Sequence, residues 1–456
     1  MPYLFRRLVA EQVTEKADGG TLHARNNITL AEMLRLAGYT TMATGKWHLG
    51  ESSERRPIAR GFDRYWGLLS GCSNYFNPGD RRPDEPEPGR KNDNDIRPWC
   101  DQDTVMHPFN PKNKNFYTTD AITDHAIQFL NEVKSSEKPF FLYIPHCAPH
   151  FPLQAWPEDI KKYRERYTSD WSDIRQQRYL RLLELGIIDP SWGLPPADER
   201  AKRSYANLGN HAVETMAVYA AMVDRLGQGI GRVLSKLSEL GKKENTLVLF
   251  LSDNGGCAEE IHCTPETPPG TVDSYRTVGA AWANASNTPW RLFKDFDHEG
   301  GISTPLIASW PARIKKPELI HDVAHIIDFM PTFAEIANIE LPSHYKGQSL
   351  LPITGKSLVP FFDGEKDQAS QRELFWLIGG AKAMRKGKWK IVTQGPKRVQ
   401  AGIQIEAGHH SWELYDMEND RCELHNLANR HPEIVEWMAN RWEEWHTKCL
   451  QDTALY

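Results

Sequence analysis

The chain has 456 residues, 40% of them apolar and 10% aromatic, enough for one large packed domain with or without a smaller appendage. Its 55 Lys and Arg nearly match its 60 Asp and Glu, giving a formal net charge of −5; a nucleic-acid partner is disfavoured, because such proteins carry a basic excess. No apolar run approaches the roughly 18–20 residues that span a bilayer, so no transmembrane segment is expected.

The first residues, Met1-Pro2-Tyr3-Leu4-Phe5-Arg6-Arg7, lack the long apolar stretch of a signal peptide, and no buried strand opens the chain. Thr29–Gly38 predicts a helix. Thr29 can cap it with Glu32 completing a capping box, Leu30, Met33, Leu34 and Ala37 form an apolar face, and Gly38 ends it. A short strand over Tyr39–Thr44 leads into Gly45-Lys46-Trp47-His48-Leu49-Gly50. A Lys and a His two apart between glycines suit a loop aimed at an anion; a surface Lys and a structural His are the plain alternative. Residues 73–115, rich in Asn, Pro, Asp and Arg, predict an irregular surface excursion.

Asp120–Val133 predicts a helix and Phe140–Ile144 a buried strand, which empties into the proline-stiffened loop Pro145-His146-Cys147-Ala148-Pro149-His150-Phe151-Pro152. His150 there is a candidate general acid, or a structural His. Residues 157–203 predict a charged, mostly helical insertion, and Ala212–Leu240 a long amphipathic helix closed by Gly241. That helix feeds Leu247–Leu251, read as a strand buried on both faces of a parallel sheet. The strand delivers Ser252-Asp253-Asn254-Gly255-Gly256. The carboxylate of Asp253 and the carboxamide of Asn254 are hard oxygens of the kind Ca2+ or Mg2+ takes; a plain β-turn is the alternative.

A polar loop over 258–287 precedes Lys294 and His298-Glu299-Gly300-Gly301; Leu306–Trp310 is a further strand and Asp328 opens a further helix. From about Leu341 the pattern changes to short strands (Leu374–Leu377, Ala381–Met384, Trp389–Val392 and Trp412–Tyr415), a hairpin turn at Lys386-Gly387 and a terminal helix over Glu433–Trp445. The expected division is a main α/β domain over 1–341 and a smaller α+β unit over 342–456. The seven cysteines include no Cys-x-x-Cys pair, which disfavours a zinc knuckle. Cys257 and Cys263, bracketing Glu259, Glu260 and His262, could mark a metal cluster but more readily a loop, one a disulfide could close.

Four segments, Gly45–Gly50, Ala148–Leu153, Ser252–Gly256 and Lys294–Gly301, occur in an order that resembles the sulfatase family, bacterial arylsulfatases in particular. The resemblance extends to Gly61–Pro78, Trp282–Pro289 and Trp412–Asp416, and covers nearly the whole chain from Thr29 onward. It implies an alkaline-phosphatase-like fold, a mostly parallel α/β sheet flanked by helices with a smaller C-terminal antiparallel sheet and helix. It also implies hydrolysis of a sulfate monoester, aryl or sugar, at a Ca2+ site. Asp253 and Asn254 would be metal ligands; Lys46 and Lys294 would neutralise the sulfate oxygens. His48 would orient the nucleophile, and His150 would bind sulfate or help the leaving oxygen depart. Fixed cations opposite developing negative charge are the main lever in such chemistry.

The family's nucleophile is a formylglycine made from the Cys or Ser of a Cys/Ser-x-Pro/Ala-x-Arg segment placed before Gly45. Residues 1–44 hold no Cys and no Ser, and none of the seven cysteines starts such a segment. The opening strand with its pair of Asp ligands is also missing, so the chain reads as a sulfatase without its N-terminal portion, through an internal start or as a pseudoenzyme. The expected consequences are weak metal binding, no covalent turnover and open edges on the neighbouring strands. Trp376-Leu377-Ile378-Gly379-Gly380 stands where arylsulfatases often carry His-Glu-Gly. By family, a periplasmic or secreted location is expected if a leader was lost with that portion. A phosphodiesterase or phosphonate hydrolase of the same superfamily, and a non-catalytic binder of sulfated glycans, are the competing readings.

Overall fold

The computed structural model describes residues 27–92, 95–365, 372–378, 380–393, 399–400, 403–404 and 411–454. Helix α1 (Leu30–Leu36) starts where the sequence signals place it. The Thr29 hydroxyl accepts from the Glu32 amide and the Glu32 carboxylate from the Thr29 amide, a complete capping box. The chain then enters β1 (Thr40–Thr44), whose Met42 is fully buried.

Strand β1 lies inside a five-stranded sheet with β2 (Arg64–Leu68), β3 (Trp99–Asp101), β4 (Thr104–Met106) and β5 (Phe140–Tyr143), in the order β4-β3-β2-β1-β5. Its neighbours β2 and β5 run parallel to it, while β3 and β4 add antiparallel at one side. The sheet is therefore mixed, and β3 and β4 are two pieces of regular structure inside the stretch expected to be irregular. Helix α2 (Thr118–Glu132) covers one face. Met42, Trp66, Leu68, Trp99, Ile122 and Phe129 form the layer between them. Each such side chain fully removed from water is worth about 1.5–3 kcal/mol.

Helix α3 (Ala212–Glu239) packs against α2 and leads to β6 (Val248–Leu251). Here the structure departs from the sequence reading. Strand β6 pairs with β7 (Leu306–Ser309), antiparallel, as a two-stranded ladder separate from the main sheet. The pair is not buried on both faces: Phe250 is 44% and Ile307 60% exposed. A short apolar run signals a strand but carries no information on strand direction or on the number of neighbours. Among the described residues, β5 and β6 each have a hydrogen-bonded partner on one side, so both present open edges.

Helix α4 (Gly279–Ser286), absent from the sequence reading, follows within the long loop after β6. The C-terminal part matches expectation: β8 (Glu373–Ile378), β9 (Ala381–Lys386), β10 (Trp389–Val392) and β11 (Glu413–Asp416) form one antiparallel sheet. Helix α5 (Pro432–Ala454) lies on one face, packing Met438 and Trp442 on Met384, Ile391 and Leu414. The other face meets the main body, where the fully buried Lys390 ammonium bonds Glu299 at 2.7 Å and Glu423 at 2.8 Å. Burial alone would raise the Glu299 carboxyl, but Lys390, Arg421 and Arg385 outweigh it and hold it at about 2. Replacing Lys390 by Met leaves two carboxylates buried around one apolar chain. The expected cost is about 3–5 kcal/mol, measured as the loss of unfolding free energy in denaturant at neutral pH; a loss below about 1 kcal/mol would show that the cluster does not hold the two parts together.

Candidate active site

Lys46 and His48 sit on the loop after β1, and backbone hydrogen bonds fix that loop to both neighbours. The Gly45 amide donates to Trp66, Lys46 to Pro145, Trp47 to Leu68 and His48 to Leu69, at 2.7–2.9 Å. These bonds hold His48 at φ 54°, a left-handed conformation uncommon for a side-chain-bearing residue and tolerated where the surroundings over-determine it.

His150 follows β5. Its Nδ1 lies 2.8 Å from the Phe151 carbonyl oxygen. A carbonyl only accepts, so Nδ1 carries the hydrogen and Nε2 keeps its lone pair. Burial pushes the His150 imidazolium well below its ordinary value, and the positive charges of Lys46 and Lys294 push it further. Burial likewise lowers the Lys46 ammonium; Asp253 pulls it back up and Lys294 adds to the lowering. These four side chains, drawn from loops up to 248 positions apart (46 to 294), therefore share one electrostatic environment.

Asp253 and Asn254 leave the end of β6, and Lys294 lies on the loop before Gly300 and Gly301. The two segments meet backbone on backbone. The Gly255 amide donates to the Gly301 carbonyl at 3.1 Å and the Lys294 amide to the Gly256 carbonyl at 3.0 Å. A β-carbon on Gly255 would strike the Gly300 carbonyl oxygen, and one on Gly300 the carbonyls of Arg291 and Leu292, so this approach requires glycine. Lys46, His48, His150, Asp253, Asn254 and Lys294 all border one extended cleft, which also runs along β5, β6 and β7 and on to the C-terminal helix, so it is the loop contacts above, not the shared lining, that bring Asp253, Asn254 and Lys294 together.

Some neighbours of the site escaped the sequence reading. Glu259 pairs with Lys294 at 3.6 Å. It lies between Cys257 and Cys263, both of which are free thiols, so no disulfide closes that loop. Among the described residues no three His, Cys, Asp or Glu side chains gather as a metal cluster, so the second reading of that loop is also set aside. Asn287, inside the Trp282–Pro289 stretch, bridges the two site loops. Only that stretch's place in the family resemblance pointed towards it.

The family model described as Sulfatase matches residues 6–339. The chain belongs to the sulfatase family. A second model, for the C-terminal region of N-sulphoglucosamine sulphohydrolase, matches residues 289–448. An uncharacterized sulfatase of Schizosaccharomyces pombe is 35% identical over 91% of this chain and 75% of its own length. The arylsulfatase of Klebsiella aerogenes is 30% identical over 72% of each. Among solved structures, a protein in complex with its substrate D-glucosamine-2-N,6-O-disulfate superposes with a TM-score of 0.59 at 18% identity, covering 95% of this chain and 85% of that one. The shared fold is that of the sulfatases, a central sheet flanked by helices with a separate small antiparallel sheet. Among the described residues no helix is long and apolar enough to cross a membrane.

For a sulfatase, two further groups bear on the site. The donors of Asp253 and Asn254 are of the right type for Ca2+, and the two residues share the cavity with Lys46; they supply two of the roughly six to eight oxygens that ion takes. For the formylglycine, one serine does carry the required spelling, Ser309-Trp310-Pro311-Ala312-Arg313, which a survey of cysteines passes over. Ser309 pairs with Val248, three residues back from the Leu251 end of β6 that carries Asp253, and Arg313 is bound to Asp363 at 2.6 Å. That places it about 10 Å down the strand from the site, so it does not supply the nucleophile.

The pH response follows from His150 and four other histidines that burial depresses: His146 and His325, each pushed down to about 4, and His125 and His262. A histidine whose folded value lies below its unfolded value of about 6.5 binds more protons when unfolded. Stability contributed by these groups is therefore present above pH 6.5 and lost as pH falls towards 4. A thermal midpoint that drops steadily from pH 7 to pH 4.5, with the His150 ring signals in NMR unmoved over the same range, is the expected result; a His150 titration near 6.5 would contradict it.

Proposed function

We propose that this cavity binds a sulfate monoester, a sulfated sugar or similar small molecule, and that its residues are the machinery of a sulfuric ester hydrolase. The observation that carries the reading is the convergence of the Lys46 loop, bound to the His150 loop at the Pro145 carbonyl, with the loops of Asp253 and Lys294, whose charges reach Lys46 and His150. Lys294 is already paired with Glu259 at 3.6 Å, and with Lys46 it gives the site two ammoniums that can face one anion. A sulfate group satisfies both, and its oxygens accept from each.

The same electrostatics give His150 a role. Without an anion, burial and the two cations keep its ring neutral. A bound sulfate ester offsets the part of that lowering that comes from the two cations, and with Nδ1–H committed to Phe151 it is Nε2 that faces a bound group. A proton there is in place for the leaving oxygen. Ca2+ held by Asp253 and Asn254 would add a divalent charge against the sulfate oxygens. His48, two residues after Lys46 on the same loop, borders the same cleft and would orient an attacking group there. Glu259 beside Lys294 can accept a hydroxyl hydrogen, a feature that suits a sugar better than a bare aryl ester. Relatives named N-acetylgalactosamine-6-sulfatase (Mus musculus, 24% identical) and N-acetylglucosamine-6-O-sulfatase (Bacteroides thetaiotaomicron, 26% identical) support a sugar substrate, beside the arylsulfatase of Klebsiella aerogenes at 30%.

The test is calorimetric titration of the full chain, in millimolar Ca2+, with N-acetylglucosamine 6-sulfate, 4-nitrophenyl sulfate and 4-nitrophenyl phosphate. Sulfate esters should bind, and Lys294→Ala should weaken them roughly 10- to 100-fold, the worth of one enclosed charge-assisted contact. Binding of the phosphate ester alone, or no heat with any ligand at millimolar concentration, would overturn the sulfate reading.

A further inference from the structure

The side chain of Asn287 is committed entirely to backbone atoms of the two loops that carry Asp253, Asn254 and Lys294. Its Oδ1 accepts from the Gly256 amide at 2.8 Å; its Nδ2 donates to the carbonyls of Leu292 and Gly300, each at 2.9 Å. The orientation of the carboxamide is unambiguous, because an amide N–H only donates and a carbonyl only accepts. Asn287 itself is held by its place at the end of α4, where its own amide donates to Ala283 at 2.9 Å.

We propose that Asn287 is a positioning residue for the site: it sets the spacing between the oxygen pair of Asp253 and Asn254 on one loop and the Lys294 ammonium on the other. The inference rests on the sulfate-ester reading for what the spacing is used for, but the spacing itself is a property of the fold. Between the two loops Thr304 Oγ1 donates to the Ser252 carbonyl at 3.0 Å and Glu259 pairs with Lys294 at 3.6 Å, and among the described residues their backbones meet at two bonds, Gly255 to Gly301 and Lys294 to Gly256. Both use glycine backbone at one end, which offers no side chain to resist sliding. Asn287 adds three more bonds, one to the first loop and two to the second, from a single planar group. Planarity makes the three act together: the Gly256 amide cannot shift along the strand direction without tilting the group that holds Leu292 and Gly300. No other uncharged side chain offers an acceptor and two donors in that plane at that length; an Asp keeps the acceptor and loses both donors, and an Ala loses all three. A cation bound by Asp253 and Asn254 and an anion bound by Lys294 attract each other according to their separation, so misplacement on the order of 1 Å is enough to weaken the pair a hundredfold.

The experiment measures coupling rather than affinity alone. The full chain is titrated with inorganic sulfate in the absence and presence of saturating Ca2+, for the wild type, Asn287→Ala and Asn287→Asp. By reciprocity, the factor by which Ca2+ tightens sulfate reports how firmly the two sites are held in register. Wild type should show a tightening of tenfold or more, and Asn287→Ala a factor near one, at a thermal midpoint that shows the chain still folded. Amide hydrogen exchange on the same proteins supplies a readout free of ligand. Asn287→Ala should accelerate exchange at Gly256 at least tenfold. Asn287→Asp should leave Gly256 protected but accelerate Lys294, Gly300 and Gly301, a split that a general loss of stability does not produce. Wild-type coupling and wild-type exchange in Asn287→Ala overturn the proposal. If Asn287→Ala does not fold, Asn287→Asp decides it, and uniform acceleration of both loops in that variant counts against it. If the wild type binds neither Ca2+ nor sulfate, the functional reading fails by itself, and the exchange pattern still upholds or overturns the role of Asn287.

Discussion

The site depends on the direct approach of two backbones. The loop after β6 and the loop before β7 come together where neither has a side chain to keep them apart, at Gly255 and Gly300. Everything on that half of the cavity follows from the contact. It carries Asp253 and Asn254 just after β6 and Lys294 on the facing loop, and the second loop runs on to contacts with the C-terminal sheet. There Glu299 is bound by Lys390 and its backbone amide by Glu423 at 2.9 Å. A small sheet far along the chain therefore fixes, through one buried ion cluster, the far end of the loop that carries the site's second ammonium.

The electrostatics of the cavity run against the stability of the protein on its own. Enclosing Lys46 lowers its hold on a proton, and Lys294 adds to that cost. Two histidines nearby, His146 and His150, are kept neutral by the same enclosure. A protein interior selected for stability alone would fill such a space with apolar groups. Buried ammoniums with carboxylates beside them, Glu259 at Lys294 and Asp253 near Lys46, are instead a polar arrangement kept at a cost in stability.

Much of this was legible in the sequence where the signal is local. The capping box of Thr29 and Glu32, the helix over 118–132 and the four strands of the C-terminal sheet are all set by neighbours within a few positions, and they appear where their patterns place them. Of the candidate residues, Asp253, Asn254 and Lys294 lie on two loops whose backbones meet, and Lys46 lies on a loop bound to the one that carries His150. What could not be read is long-range. The direction of β6 relative to β7 leaves no trace in an apolar run of four. The partners of Lys390 are 91 and 33 positions away, so the cluster looks in sequence like three ordinary surface charges. Asn287 reads as a helix-ending residue, which it also is; its bonds to Gly256, Leu292 and Gly300 belong to the tertiary fold. Helix α4 was hidden because its Ala-rich turns follow a long polar stretch without an amphipathic stripe.

The separation of the β6–β7 ladder from the five-stranded sheet has a mechanical meaning. Lys46, His48 and His150 are borne by one hydrogen-bonded sheet; Asp253, Asn254 and Lys294 belong to another. Among the described residues the two sheets share no ladder, so a ligand that bridged these two sets of side chains would spend part of its binding free energy in holding the sheets in place, and its grip would follow how firmly the fold holds them without it.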